Sequence, residues 1–194
     1  MRKCLRGRHN AGFTLLEVMI AIVVLIIGVL SLAVMLAVSV MYLKTSQLDY
    51  IAQQKAAEAV ESIFTARDMG QATWATICNA GSPVCTSGIF VAGPTALCDP
   101  GPDGIVGTAD DFNGTNCAVQ ADAILLPSGS TINNVTNTRV PLTDFNFQRT
   151  ITITTVNVNG NPMNNVRQIQ VTITYQAGQI KKTYTMTTNI SNFS

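Results

Sequence analysis

Residues 18–43 read VMIAIVVLIIGVLSLAVMLAVSVMYL, 26 consecutive positions without a charged side chain. Only Gly28, Ser31 and Ser39 interrupt Val, Ile, Leu, Met, Ala and Tyr, and a helix of about 20 such residues crosses a bilayer. No proline occurs before Pro83, so a helix begun near Phe13 can run through this stretch and on through Lys44 to Arg67 without an obligatory break. The continuation is amphipathic. Leu48, Ala52, Ala56, Ala59, Val60 and Ile63 recur at spacings of three and four, while Asp49, Gln53, Lys55, Glu58 and Glu61 take other directions, the pattern of a helix laying one stripe on a partner. At 1.5 Å per residue a helix from Phe13 to Arg67 is roughly 80 Å long, far more than a bilayer, so its second half is expected to leave the membrane.

Upstream of the apolar run, Arg2, Lys3, Arg6 and Arg8 stand in the first nine positions with no acid among them. The positive-inside rule puts this end in the cytoplasm and everything after Leu43 on the far side. The whole chain has 194 residues, 47% hydrophobic and 12% charged, too apolar for disorder and too short for two full domains. Twelve basic residues balance eleven acidic ones, which leaves no broad basic surface for nucleic acid, and the pair Lys181–Lys182 is too short to supply one. The only histidine is His9, inside the basic segment, so triad catalysis and His-ligated metal sites have almost nothing to work with. The sequence points away from an enzyme. A secretory signal peptide would have a shorter apolar core. A plain anchor fits the length but leaves Glu17 unexplained, because an unpaired carboxylate entering hydrocarbon costs about 2.5 to 3.5 kcal/mol.

The run Gly12-Phe13-Thr14-Leu15-Leu16-Glu17-Val18-Met19-Ile20-Ala21, after its short basic leader, resembles the prepilin cleavage signature shared by type IV pilins and type II secretion pseudopilins. The continuation Val23 to Ala33 is most similar to PilV-type minor pilins. The resemblance implies that prepilin peptidase cuts after Gly12 and methylates the new amino terminus at Phe13. It also implies that Glu17 pairs with the free amine of a neighbouring subunit's first residue, a contact that sets docking and register while desolvation offsets much of its Coulomb energy. Thr14 stands where it can cap the helix start. Many major pilins carry a helix-breaking proline midway along this segment. This chain has Ile, Val and Leu there with Gly28 as the weak point, which fits a minor component at the tip or in an initiating complex.

Residues 70–138 are rich in Gly, Pro, Ser, Thr, Asn and Asp, with short apolar pieces at Gly88 to Ala92 and Ala123 to Leu126, and read as loops with one or two small strands. Asn146 to Val158, Val166 to Gln176 and Lys181 to Ser191 are rich in Thr, Ile and Val. In the middle run Ile169, Val171, Ile173 and Tyr175 alternate with Gln168, Gln170, Thr172 and Thr174, a strand with one buried face. Asn159-Gly160-Asn161-Pro162 and Ala177-Gly178-Gln179 supply turns for an antiparallel meander of three or four strands. The amphipathic half of the helix is the natural cover, giving an α+β, pilin-like fold with a long N-terminal helix packed on a small antiparallel sheet. The expected organisation is a removable leader at 1–12, a membrane or filament-core half-helix at 13–43, an amphipathic half at 44–68, a disulfide-containing loop region at 69–138 and the meander at 139–194. Trp74 and Phe64 are expected to pack under the loop region.

Cys4 lies in the leader, so the exported part holds four thiols, Cys78, Cys85, Cys98 and Cys117. Three pairings are open; an oxidising compartment and sequence proximity favour Cys78 with Cys85 and Cys98 with Cys117. A four-cysteine zinc site is the alternative, but no CxxC knuckle is present. Bridging Cys98 to Cys117 would add about 3 kcal/mol on the chain-entropy model. Inside that loop, Asp99, Asp103, Asp110 and Asp111 stand among Gly and Pro turns. Hard oxygen donors of this kind suit calcium, although the spacing is not that of an EF-hand, and some pilins and pseudopilins carry calcium in a similar loop. A solvated acidic loop pinned by a disulfide is the other reading.

The function these features imply is that of a minor type IV pilin, a structural subunit supporting pilus assembly. It would reside in the bacterial inner membrane as a single-pass protein with a cytoplasmic N-terminus, then in a filament in the periplasm or at the cell surface. Its partners would be other major and minor pilins, prepilin peptidase, the inner-membrane assembly platform and membrane lipid, with no nucleic acid. The alternatives are a minor pseudopilin of a type II secretion system, a calcium-dependent tip adhesin module, and an anchored domain that never polymerises.

Overall fold

The computed structural model describes residues 14–114, 116–125 and 139–192. The chain forms two compact units, Met1–Lys44 and Thr45–Ser194, with helix α1 (Leu15–Asp68) contributing to both. In the first unit every described residue is exposed, including Leu15 at 80% and Met35 at 70%. So continuous an apolar surface is stable only against lipid or another apolar partner, and α1 is long and apolar enough to cross a membrane. Thr14 receives the Glu17 N–H on its hydroxyl at 3.3 Å, an N-cap that satisfies one of the helix's unpaired donors. Ser31 and Ser39 donate their hydroxyls to the carbonyls of Gly28 and Met35, each at 2.8 Å, so neither presents a bare polar group to hydrocarbon. The leader, Gly12 and Phe13 lie outside the described residues.

The second unit is built on the remainder of α1. Leu48, Ala52, Ala56, Ala59, Ile63 and Ala66 are buried and Val60 is half-buried against the same core. Facing them is a four-stranded antiparallel sheet of β1 (Thr95–Ala96), β6 (Gln148–Val158), β7 (Asn161–Ala177) and β8 (Ile180–Ser191), in the order β1-β6-β7-β8. Its inner face carries Ile151, Ile153, Ile169, Val171, Ile173 and Ile190, all buried. This is the α+β architecture expected from the periodicities and the pilin-like one that the N-terminal resemblance implies. Two small ribbons complete the unit, β2 (Phe112–Asn113) with β3 (Asn116–Cys117) and β4 (Ala123–Leu125) with β5 (Arg139–Pro141).

The first long hairpin turns on Asn159 and Gly160 alone, with φ of 50° and 81°, the left-handed pair of a type I′ turn that matches strand twist. Pro162, expected in the turn, is the second residue of β7, opposite Asn157. That pair is the one next to the closing pair, where backbone groups point away from the partner strand, and β8 stops opposite Val166, so the missing N–H breaks no ladder bond. Between Thr155 and Val156 the register jumps from Arg167 to Met163, an irregularity that leaves Asn164, Asn165 and Val166 of β7 without partners on β6. Trp74 holds it: its indole N–H donates to the Asn164 carbonyl at 3.2 Å, its ring carries the Arg167 guanidinium 4.1 Å from the ring centroid, and Arg167 donates to the carbonyls of Trp74 and Ile77.

Beyond the two residues of β1, Asn79 continues the edge of β6 with its side chain. Its amide donates to the Ile151 carbonyl at 2.7 Å and accepts the Ile153 N–H at 2.8 Å, replacing the backbone of a neighbouring strand. Asn79→Ala leaves both buried groups unpaired, at about 1–3 kcal/mol each. The expected result is a lower denaturant midpoint with unchanged slope for the full chain in detergent.

Candidate functional site

The loop between Cys98 and Cys117 gathers the acidic residues of interest. Cys98 and Cys117 are bonded with Cα atoms 5.3 Å apart, and Cys78 and Cys85 with Cα atoms 6.2 Å apart. Carboxylate oxygens of Asp103, Asp110 and Asp111 lie within 4.8 Å of one another. Asp99 does not join them: it accepts from Arg139 at 2.9 Å, while Arg139 also donates to the Ala121 carbonyl at 2.8 Å.

The loop's own backbone holds the three carboxylates. Asp111, fully buried, accepts the N–H groups of Gly101 at 2.7 Å and Gly107 at 2.6 Å. Asp110 accepts the Thr108 hydroxyl at 2.6 Å and the Asp103 N–H at 3.2 Å, and Asp103 accepts the Ile105 N–H at 2.7 Å. Glycine is required at two points. A Cβ on Gly101 would collide with the Asp110 carboxylate, and Gly107 has a φ of 91° with the Ile151 side chain where its Cβ would be. The loop is tied to α1 by the Val106 N–H, which donates to the Ser62 hydroxyl at 3.0 Å.

Beneath the loop lies a charge cluster. Arg149, on the inner face of β6 and 1% exposed, has no hydrogen-bond partner for its three guanidinium nitrogens among the described residues. The carboxylates of Asp111, Glu58 and Asp122 act on its charge, although burial dominates and pulls its pKa down. Lys55 on α1 bridges Glu58 and Asp122, each at 2.7 Å. Burial pulls the Lys55 ammonium down, but these two acidic partners outweigh it and raise its pKa. Burial pushes the Asp111 carboxyl up, and the Gly107 and Gly101 N–H groups with the Arg149 charge offset only part of that push. For Asp110, burial also pushes upward, but the Thr108 hydroxyl and Asp103 N–H win and hold its carboxyl below the usual range. Neither Lys55, Asp122 nor Arg149 was expected at this site. The one sequence signal was the place of Arg149 in the inward set with Ile151 and Ile153.

At the other end of the chain, Glu17 lies exposed in the first turn of α1, where the helix dipole favours an anion. Residues 7–41 match a family model described as the prokaryotic N-terminal methylation motif. That stretch takes in Gly12, Phe13, Glu17 and most of the apolar run. Searches of curated proteins and of solved structures found no match. A long N-terminal apolar helix continuing onto an antiparallel sheet defines the pilin-like class of α+β protein. Within it, the methylation motif supports a type IV pilin or pseudopilin type of subunit, a family that is structural and not enzymatic.

With its folded pKa below the unfolded value, Asp110 contributes stability that is complete above about pH 4 and lost as pH falls through the folded pKa. Asp110→Asn is therefore expected to flatten the acid limb of a stability–pH curve measured by urea unfolding.

Proposed function

We propose that this chain is a minor type IV pilin of the PilV type, made as an inner-membrane precursor and assembled through α1 into a pilus or its tip-initiating complex. The observation that carries the reading is the methylation motif at 7–41 set at the start of a 54-residue helix whose first half is apolar and exposed on every side. Prepilin peptidase removes the basic leader after Gly12 and methylates Phe13. Glu17 then pairs with the terminal amine of the next subunit, and in a low-dielectric surrounding that pair fixes register more than it adds affinity. Other major and minor pilins, the inner-membrane assembly platform and lipid are the partners, and the exported unit reaches the cell surface with the filament. The unbroken run from Leu15 to Asp68, without a proline to melt it, supports a minor role. Intact mass and N-terminal sequencing from native membranes are expected to give a methylated Phe13 start, and Glu17→Ala is expected to remove the protein from sheared surface pili while leaving it in the membrane. A chain that starts at Met1 in cells with active peptidase overturns the reading.

A calcium-binding role for the loop is favoured by the convergence of Asp103, Asp110 and Asp111 within 4.8 Å. Each carboxylate keeps lone pairs beyond those used by the loop's N–H groups, and Asp99 steadies the loop through Arg139. Calcium is expected to raise the melting temperature of the full chain over that in chelator, by the equivalent of about 2.7 kcal/mol at a hundredfold excess over Kd. Asp103→Asn is expected to abolish the shift.

A further inference from the structure

Arg149 stands on the inner face of β6 two residues before Ile151, and the acidic loop is seated on that same stretch. Gly107 lies against the Ile151 side chain, and its N–H is one of the two that Asp111 accepts. Arg149 and Asp111 are both fully buried. Each Asp111 oxygen takes one backbone donor, Oδ1 from Gly101 and Oδ2 from Gly107, whereas the three guanidinium nitrogens donate to nothing among the described residues. A forked pair between an arginine and a carboxylate would fill the lone pairs that Asp111 has left. Arg149 instead acts on Asp111 through its charge alone and leaves those lone pairs uncommitted. The neighbouring cations are engaged elsewhere: Lys55 with Glu58 and Asp122, and Arg139 with Asp99.

Three carboxylates with oxygens within 4.8 Å of one another repel, and burying one of them adds the cost of desolvation. The loop's N–H groups offset part of this. A cation must offset the rest, and a guanidinium keeps its charge at any ordinary pH. The donor set also fits calcium, with hard oxygens on three side chains around a backbone so close to them that a Cβ on Gly101 would strike the Asp110 carboxylate. Ligand charge count is what tunes calcium affinity over several decades, and a fixed positive charge beneath the ligands lowers the effective count. Arg149 and calcium therefore oppose each other while stabilising the same loop.

We propose that Arg149 is a built-in counter-cation of the acidic loop: it lets the loop close on the sheet before calcium is bound, and it holds calcium affinity in the weak, exchangeable range of roughly 10⁻⁴ M or above. The inference rests on the calcium reading of the loop. It makes Arg149 a positioning residue. Calcium then adds to a loop already formed and is not a condition of its folding.

The test is titration of calcium chloride into the full chain in detergent at fixed ionic strength, followed by calorimetry, with thermal unfolding in chelator to check the fold. Arg149→Met replaces the guanidinium by an apolar side chain and is expected to bind calcium about tenfold more tightly, the opposite of what a merely damaged loop would do. Its stability is also expected to depend on calcium more than that of the original. Arg149→Lys keeps the charge and is expected to stay within about threefold of the original affinity. If the methionine variant folds neither with calcium nor without it, Glu58→Gln decides. Glu58 is half-exposed and not among the converging carboxylates, and its loss leaves more of the Arg149 charge acting on the ion, so calcium binding is expected to weaken about threefold. Where the original binds calcium, three results overturn the proposal and leave the calcium reading standing: micromolar or tighter affinity in the original, unchanged or weaker affinity in a folded methionine variant, or, in that variant's place, unchanged affinity in Glu58→Gln. No calcium binding by any of these chains overturns both.

Discussion

The close seating of α1 on the sheet is the constraint from which the second unit follows. Of the six helix residues buried there, four are alanines, and they meet a sheet face built largely of Ile and Val. An alanine contributes little transfer free energy, whereas each isoleucine it covers contributes about 2 kcal/mol. The stripe therefore acts mainly as a smooth surface that lets the helix approach, and the sheet provides most of the apolar burial. Close approach brings polar side chains of α1 within reach of distant chain, the short Ser62 and Asp49 as well as the long Lys55. Ser62 takes the Val106 N–H, Lys55 reaches Asp122, and Asp49 accepts from the Tyr175 hydroxyl and from Lys182. With larger residues at the alanine positions these contacts would open together.

The Arg149 cluster is the one place where the core departs from apolar filling. A guanidinium with no direct partner among the described residues is costly unless charge surrounds it. Asp111, Glu58 and Asp122 supply that charge from the loop, the helix and the segment before β4. Three separate pieces of chain thus share one electrostatic centre. Such a cluster adds less to stability than an apolar core of the same volume, and it ties the loop's position to that of the helix.

Much of this was legible in the residues. The 26-residue apolar run by its length, and the 3.6-residue stripe and the alternation of Ile and Val with Thr and Gln by their periods, each admit one element, so the helix and most of the three long strands follow from pattern, while the first five residues of β7, Asn161 to Asn165, carry no alternation and were expected outside the strand. The loop region carries no such period. That Asp99 turns to Arg139 while its three neighbours converge depends on β5 lying beside it, a contact across 40 residues. Asn79 is legible only as a turn residue, because its use as a strand edge requires β6 to be in place. Arg149 shows the limit from the other side: its inward position was readable, but what would neutralise it was not.

The alanine stripe also bears on how the unit comes together. The helix precedes the three long strands in the chain by about 80 residues, and the β6-β7 and β7-β8 hairpins close over short loops while the pairing of helix with sheet is long-range. During that interval the outward half of α1 is exposed without its cover. A leucine stripe left bare for so long would attract other chains. An alanine stripe is a poorly adhesive surface, so the helix can wait for its sheet without seeking another.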